Sequence, residues 1–163
     1  MASISAAFAG EKLSHDSFNA LIHDLCSTVG LGDPDHVLQT RAIEVEGFEI
    51  LFDQLETDSH SIYLNFHFGT VTAGRTLTIF RLMLEANLII YAQDQAQLGI
   101  DTDTGGIVLI VRVPMTPDLD GAVLADLLSH YAEHGRYWRQ NVIESSDEMF
   151  KGILTGDHLW LRA

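Results

Sequence analysis

Apolar side chains recur along this chain in two rhythms, one helical and one strand-like. Phe18, Leu21, Ile22, Leu25 and Val29 fall at helical spacing with His15, Asn19, His23 and Ser27 outside the stripe, which predicts a first helix starting at Ser14. Gly30 and Gly32-Asp33-Pro34 end it. Period two takes over at Ile43 and Val45, continues through Phe48, Ile50 and Phe52, and returns at Ile62, Leu64, Phe66 and Phe68. The connections, Gly47 and Thr57-Asp58-Ser59-His60, are short enough for an antiparallel meander of three strands.

A second helix is predicted from about Thr76 to Ala86. Leu77, Ile79, Phe80, Leu82, Met83 and Leu84 leave only Thr78, Arg81 and Glu85 as polar relief, so it needs cover on more than one side. A second copy of the chain would supply that cover, and so would a central place in one larger core. Beyond Asn87, residues Leu88–Tyr91, Leu98–Asp101 and Ile107–Val113 read as strands, with Asp101-Thr102-Asp103-Thr104-Gly105-Gly106 as a turn. In the last strand Ile107, Leu109, Val111 and Val113 share one face while Val108 and Ile110 share the other, which again asks for cover on both sides. Thr116-Pro117-Asp118 reads as the start of a third helix carrying Leu124, Leu127, Leu128, Tyr131 and Trp138 on one side. Asp118 and Asp120 near its start and Arg136 and Arg139 near its end suit the helix dipole. Residues 1–12 read as a flexible tail, 13–143 as a single domain and 144–163 as an extension with a short helix around Met149–Leu154. The class is α+β.

Composition narrows the function. The chain has 163 residues and a formal charge of -14, yet 47% of it is hydrophobic, so it folds where a chain poor in apolar residues would not. No Lys or Arg occurs between Ala42 and Gly74, while Glu44, Glu46, Glu49, Asp53, Glu56 and Asp58 decorate the strands. Such a surface argues against nucleic acid and anionic membrane as partners, both of which need basic side chains. A single cysteine, Cys26, excludes an internal disulfide and fits a reducing compartment. Met1 to Gly10 lacks a basic signal region and no stretch is long enough to span a bilayer, so a cytoplasmic location is expected.

Three stretches invite a chemical reading. His130-Tyr131-Ala132-Glu133-His134 has the H-x-x-E-H spacing of inverted zinc peptidases, but no partner motif follows it, and two solvated histidines explain it better. Asp103-Thr104-Gly105 matches the triplet of small dimeric aspartic proteases, yet Asp101 stands where an apolar residue belongs, and a turn accounts for the segment. As a calcium loop the same stretch fails at its twelfth position, Arg112, which should be a carboxylate. Cys26 lies near the apolar stripe with no adjacent basic residue to activate it. No catalytic residue, metal or cofactor is expected.

The pieces Leu84-Glu85-Ala86-Asn87-Leu88, Leu98-Gly99-Ile100-Asp101, Thr104-Gly105-Gly106-Ile107-Val108-Leu109, Val113-Pro114, Tyr131-Ala132-Glu133 and Trp138-Arg139 follow one another in an order that carries a resemblance. Over roughly Phe18 to Arg139 the chain resembles the class I type III secretion chaperones, the Tir-chaperone family. The resemblance implies an α-β-β-β-α-β-β-α protomer, a homodimer and no enzymatic activity. It implies a bacterial cytoplasmic protein that wraps the extended N-terminal segment of a secreted effector and keeps it secretion-competent without ATP, with a secretion-system ATPase as a further partner. The dimer interface would then include Leu77, Phe80, Leu84, Leu88 and Ile90, and the effector surface Phe18, Phe48, Ile50, Phe52, Tyr63, Leu64 and Phe66. Two other readings stand beside it. One is an interaction module unrelated to secretion. The other is a small hydrolase using Glu133 with the histidines, or Asp103 across a dimer.

Overall fold

A computed structural model describes residues 3–71 and 73–155. Five helices, α1 (Ser3–Val29), α2 (Pro34–Thr40), α3 (Thr76–Asp94), α4 (Gly121–Trp138) and α5 (Asp147–Thr155), accompany five strands. The strands are β1 (Ala42–Val45), β2 (Phe48–Leu55), β3 (Asp58–Thr70), β4 (Ala96–Ile100) and β5 (Gly106–Pro114), and they form one sheet in the order β1-β2-β3-β5-β4. The α+β class and the three-strand meander are as the alternation predicts. Residues 156–163 of the predicted extension, Trp160 among them, lie outside the described residues.

Local chemistry explains the joints. Glu46 and Gly47 both have positive φ, 52° and 82°, the paired left-handed conformation of a two-residue hairpin loop between β1 and β2. The register Ile43↔Ile50 and Val45↔Phe48 follows from it. Across β3 and β5, the Met115 N–H donates to the His60 carbonyl at 2.8 Å, and Gly106 lies against Gly69 at the far end, which makes this pair antiparallel as well. Strands β4 and β5 pair antiparallel with Leu98 opposite Leu109.

Four boundaries depart from the sequence reading, each for a physical reason. Helix α1 runs back to Ser3 through an Ala-containing, proline-free segment that favours helix, so Ser14 lies inside it and does not cap it. Helix α1 ends at Val29, before Gly30, as expected, but Asp33-Pro34 also opens a helix that the reading lacked: the Asp33 carboxylate accepts from the His36 N–H at 3.0 Å and Pro34 takes the first helical position of α2. Leu88–Tyr91 is helical and not a strand, because α3 continues to Asp94 before Gln95 closes it in the left-handed region. Helix α4 starts at Gly121, not at Thr116-Pro117-Asp118, which forms a turn; Asp120 accepts from the Val123 N–H at 2.8 Å and so caps the helix.

The chain divides into two compact units, residues 1–64 with 112–130 and residues 65–111 with 131–163. In the first, Phe18, Ile22 and Leu25 of α1 are buried with Phe48, Ile50 and Phe52 of β2 and with Leu64 of β3. Phe18 meets Phe52 edge-on at 6.1 Å between ring centroids, and the Arg41 guanidinium lies 4.5 Å over the Phe18 ring. Gly121 makes the approach of α4 to α1 possible: a Cβ there would stand 2.4 Å from the Asp24 carbonyl carbon, and its N–H donates to the Asp24 carboxylate at 2.6 Å. In the second unit Phe66, Phe68, Ile79, Ile107, Leu109 and Trp138 are buried, and Phe66 and Tyr131 lie 5.7 Å apart. Arg139 donates to the Phe68 carbonyl at 2.9 Å from the start of a π-helical turn, Arg139–Ile143. Arg75 grips the following segment, donating to the Ser145 carbonyl at 2.7 Å, pairing with Asp147 and covering the Phe150 ring.

Candidate protein-interaction surfaces

Helix α3 turns two faces to different surroundings. Ile79, Leu82, Met83 and Ala86 are buried, whereas Leu77, Leu84, Leu88 and Tyr91 are 85%, 69%, 79% and 59% exposed. These four fall along one line of the helix, spaced by seven, four and three residues. A soluble chain exposes scattered leucines, and an aligned row of this kind is a candidate surface for a protein partner. Three of the five residues expected at a dimer contact, Leu77, Leu84 and Leu88, stand in this row; Phe80 and Ile90 flank it, half-buried. Tyr91 completes the line and escaped the sequence reading, which ended the helix near Ala86. Continuing the spacing from Leu77 through Leu84 to Tyr91 was the signal that could have found it.

Asn87 fixes the helix to the sheet. Its side-chain amide donates to the Leu98 carbonyl at 3.0 Å and accepts from the Leu98 N–H at 2.7 Å, taking the place a neighbouring strand would occupy on β4. The edge of the sheet is thus closed at Leu98 by a side chain.

The residues expected to touch an effector are placed otherwise. Phe18, Phe48, Ile50, Phe52, Leu64 and Phe66 are 0–1% exposed, because the strand alternation that singles out the last five is that of the inward sheet face and Phe18 lies on the buried stripe of α1. Phe66 belongs to the second unit and the others to the first. Tyr63 points the opposite way and keeps part of its surface. Its hydroxyl donates to Asp58 Oδ2 at 2.9 Å, and Arg112 Nε donates to the same oxygen at 2.6 Å. Held first by Arg112 and then by Tyr63, the Asp58 carboxyl is pulled down to about 2. On the outward face of the hairpin Glu44 stands directly across from Glu49, an unfavourable like-charge pair that keeps this edge acidic.

The stretches that invited chemistry are otherwise occupied. Asp101 accepts from the Asp103 N–H at 2.9 Å and from the Thr104 hydroxyl at 2.8 Å, the bonds of a turn, and these lower its pKa. Burial, then the Asp33 charge, pushes the Cys26 thiol up, opposite to what a nucleophile needs. His130, Glu133 and His134 are exposed along α4. Among the described residues no group of three or more His, Cys, Asp or Glu is placed to hold a metal, and no helix is long and apolar enough to cross a membrane.

An acidic sheet-and-helix domain with an exposed apolar helical row is a protein-interaction domain in its chemistry. The sequence model of the Tir chaperone protein (CesT) family matches residues 20–139, and the chain belongs to that family. The resemblance drawn from the motifs therefore holds. Among solved structures the chain is similar to one in the crystal structure of the ExsC-ExsE complex, with a TM-score of 0.63 and 16% identity over 80% of this chain and 97% of that one. It is also similar to one in the HopA1-SchA chaperone-effector complex, with a TM-score of 0.58 and 16% identity over 78% and 96%. At such identities the likeness is one of fold. No curated protein sequence matches the chain significantly.

Proposed function

We propose that this protein is a type III secretion chaperone, which binds the extended N-terminal segment of a secreted effector and keeps it soluble and competent for export. The observation that carries this reading is membership of the Tir chaperone family over residues 20–139, supported by a fold shared with a chain of a chaperone-effector complex. The protein acts as a homodimer in the bacterial cytoplasm, without ATP and without catalysis, and hands its client to the secretion ATPase. Residues 13–143 form the chaperone domain and 144–163 an extension of it. The dimer forms through the α3 row. With most of the inward aromatic set committed to the core, the client uses the outward side of β2 and β3, where Leu51, Leu55 and Tyr63 alternate with Glu49 and Asp53. Burial of the client's apolar side chains drives binding, at about 25 cal/mol per Å² before ordering costs, and the acidic positions favour clients with basic segments.

The test is to purify the tagged chain from its own bacterium and identify what co-elutes. One dominant partner, lost when its N-terminal segment is deleted and secreted poorly when this chain is absent, establishes the reading. A partner held through a folded domain, with secretion unchanged, replaces it with an interaction module unrelated to secretion.

A further inference from the structure

Arg75, at the start of α3, directs its guanidinium to a segment 70 residues further along the chain. It donates to the Ser145 carbonyl at 2.7 Å and to the Ser145 hydroxyl at 3.3 Å, pairs with Asp147, and lies 4.8 Å over the Phe150 ring. The Arg75 side chain is 15% exposed, and Ser145 and Phe150 are buried beside it. All of these residues belong to the second unit. We propose that α5 is a strap filling a recognition seat built on Arg75, and that the seat accepts in its place a partner's helical segment with a carboxylate three residues before an aromatic ring. The inference goes beyond the client reading, which uses the outward side of β2 and β3.

A planar guanidinium suits that pair of groups, because its edge donates to a carboxylate while its face covers an aromatic ring. Asp147 and Phe150 stand three apart on α5, and residues so spaced share one face of a helix, so one guanidinium reaches both. The strap is lightly held. Asp147 is 87% exposed, and an ion pair open to water contributes little. Among the described side chains of α5, Phe150 is the buried one, while Asp147, Glu148, Lys151 and Thr155 are exposed. A helix of nine residues is marginal without packing. The firm anchor lies earlier: Val142 and Ile143 are buried, and a Cβ on Gly69 of β3 would meet Ile143 Cδ1 at 3.6 Å. Opening at Glu144–Ser146 therefore frees α5 and bares Arg75 while the core of the unit stays packed. Charge makes the seat selective. With 23 acidic side chains against 9 basic ones, the chain's field opposes an acidic segment in general, and Arg75 offers such a segment a cation and a stacking plane in one place.

The test uses the full-length protein and a fluorescein-labelled peptide with the sequence of residues 144–155, read by anisotropy. Phe150→Ala loosens the strap, and this chain should bind the peptide about tenfold more tightly than wild type, whose own α5 competes from a high effective concentration. Adding Arg75→Lys, which keeps the charge and loses the fork, should return binding to the wild-type level or below. Peptides carrying Asp147→Asn or Phe150→Ala should bind about tenfold more weakly. Asp147→Asn in the protein, at an exposed position, loosens the strap without touching the core and guards against a misfolded Phe150→Ala chain. In it the Phe150 amide, which donates to the Ser146 carbonyl at 2.9 Å, should exchange faster while exchange across β5 is unchanged. Equal peptide affinity, or none, for wild type and both loosened chains overturns the proposal, and so does binding that survives Arg75→Lys. A Phe150 amide that exchanges as slowly as those of β5 in all three chains overturns the strap. Protection of that amide that grows with protein concentration would put the α5 of a second copy on the seat and overturn a separate partner.

Discussion

The inward sheet face of the first unit and the outer row of α3 are built from the same kinds of residue and meet opposite fates. Phe48, Ile50 and Phe52 are sealed at 0–1% exposure, while Leu77, Leu84 and Leu88 stand more than two-thirds exposed. Hydrophobicity does not separate them. What separates them is whether the chain has an element of its own to lay over the face. The sheet alternation has α1 above it, tied by the Phe18–Phe52 ring contact. The α3 row has no such cover among the described residues.

Paired truncations break the comparison most sharply. Phe52→Ala should cost about 3–5 kcal/mol in urea unfolding, since it empties a packed site. Leu84→Ala should change the stability of the monomer by no more than about 0.5 kcal/mol and weaken the dimer instead, read by sedimentation against concentration. A comparable stability loss for both would mean that α3 is covered by its own chain.

Next in size is Gly121→Ala. Its added carbon would collide with the Asp24 backbone, and backbone cannot swing aside as a side chain can. A loss of about 1–3 kcal/mol is expected, with the shift confined to thermal or urea unfolding and dimer mass preserved. An unchanged melting temperature would show that α4 can start further from α1.

Asn87→Ala removes both bonds to Leu98 and leaves a backbone N–H and C=O on the sheet edge without their partners. The expected cost is about 1–3 kcal/mol, and hydrogen exchange at the Leu98 amide should quicken. Slow exchange at Leu98 in the variant would mean that another group closes this edge.

The smallest effect concerns pH. The folded Asp58 carboxyl, at about 2, lies below the ordinary aspartate value of about 3.9. Its contribution to stability is therefore fully present above pH 4 and is lost as pH falls through about 2. Asp58→Asn should lower the melting temperature slightly at neutral pH, and the gap to wild type should close between pH 4 and 2. A gap that stays constant across that window would detach Asp58 from Arg112 and Tyr63.

Much of the fold was legible in the residues, and the reason differs from place to place. The three strands of the meander were readable because inward and outward side chains alternate over Phe48–Phe52 and Ile62–Phe68 with little interruption. The far end of α3 was not readable: Leu88-Ile89-Ile90-Tyr91 is rich in β-branched and aromatic residues that favour strands locally, and packing on the sheet overrode that preference. Asp33-Pro34 carried a helix start and a helix stop in the same letters, and only the bond to the His36 N–H decided between them. The interaction surfaces were half legible. Leu77, Leu84 and Leu88 were named, whereas the aromatic set named for the effector proved to be core.

By itself the sequence determined the strands of the meander, the turn at Gly47, the acidic character and the family, because each depends on neighbours along the chain or on motifs in order. Tertiary structure alone decided which apolar rows became core and which remained exposed, which strand edge Asn87 closes, and that Gly121 must be glycine. Those outcomes depend on what lies opposite a residue in space. A hydrophobic stripe states only that it needs cover; the element that provides it comes from elsewhere in the chain or from a second molecule.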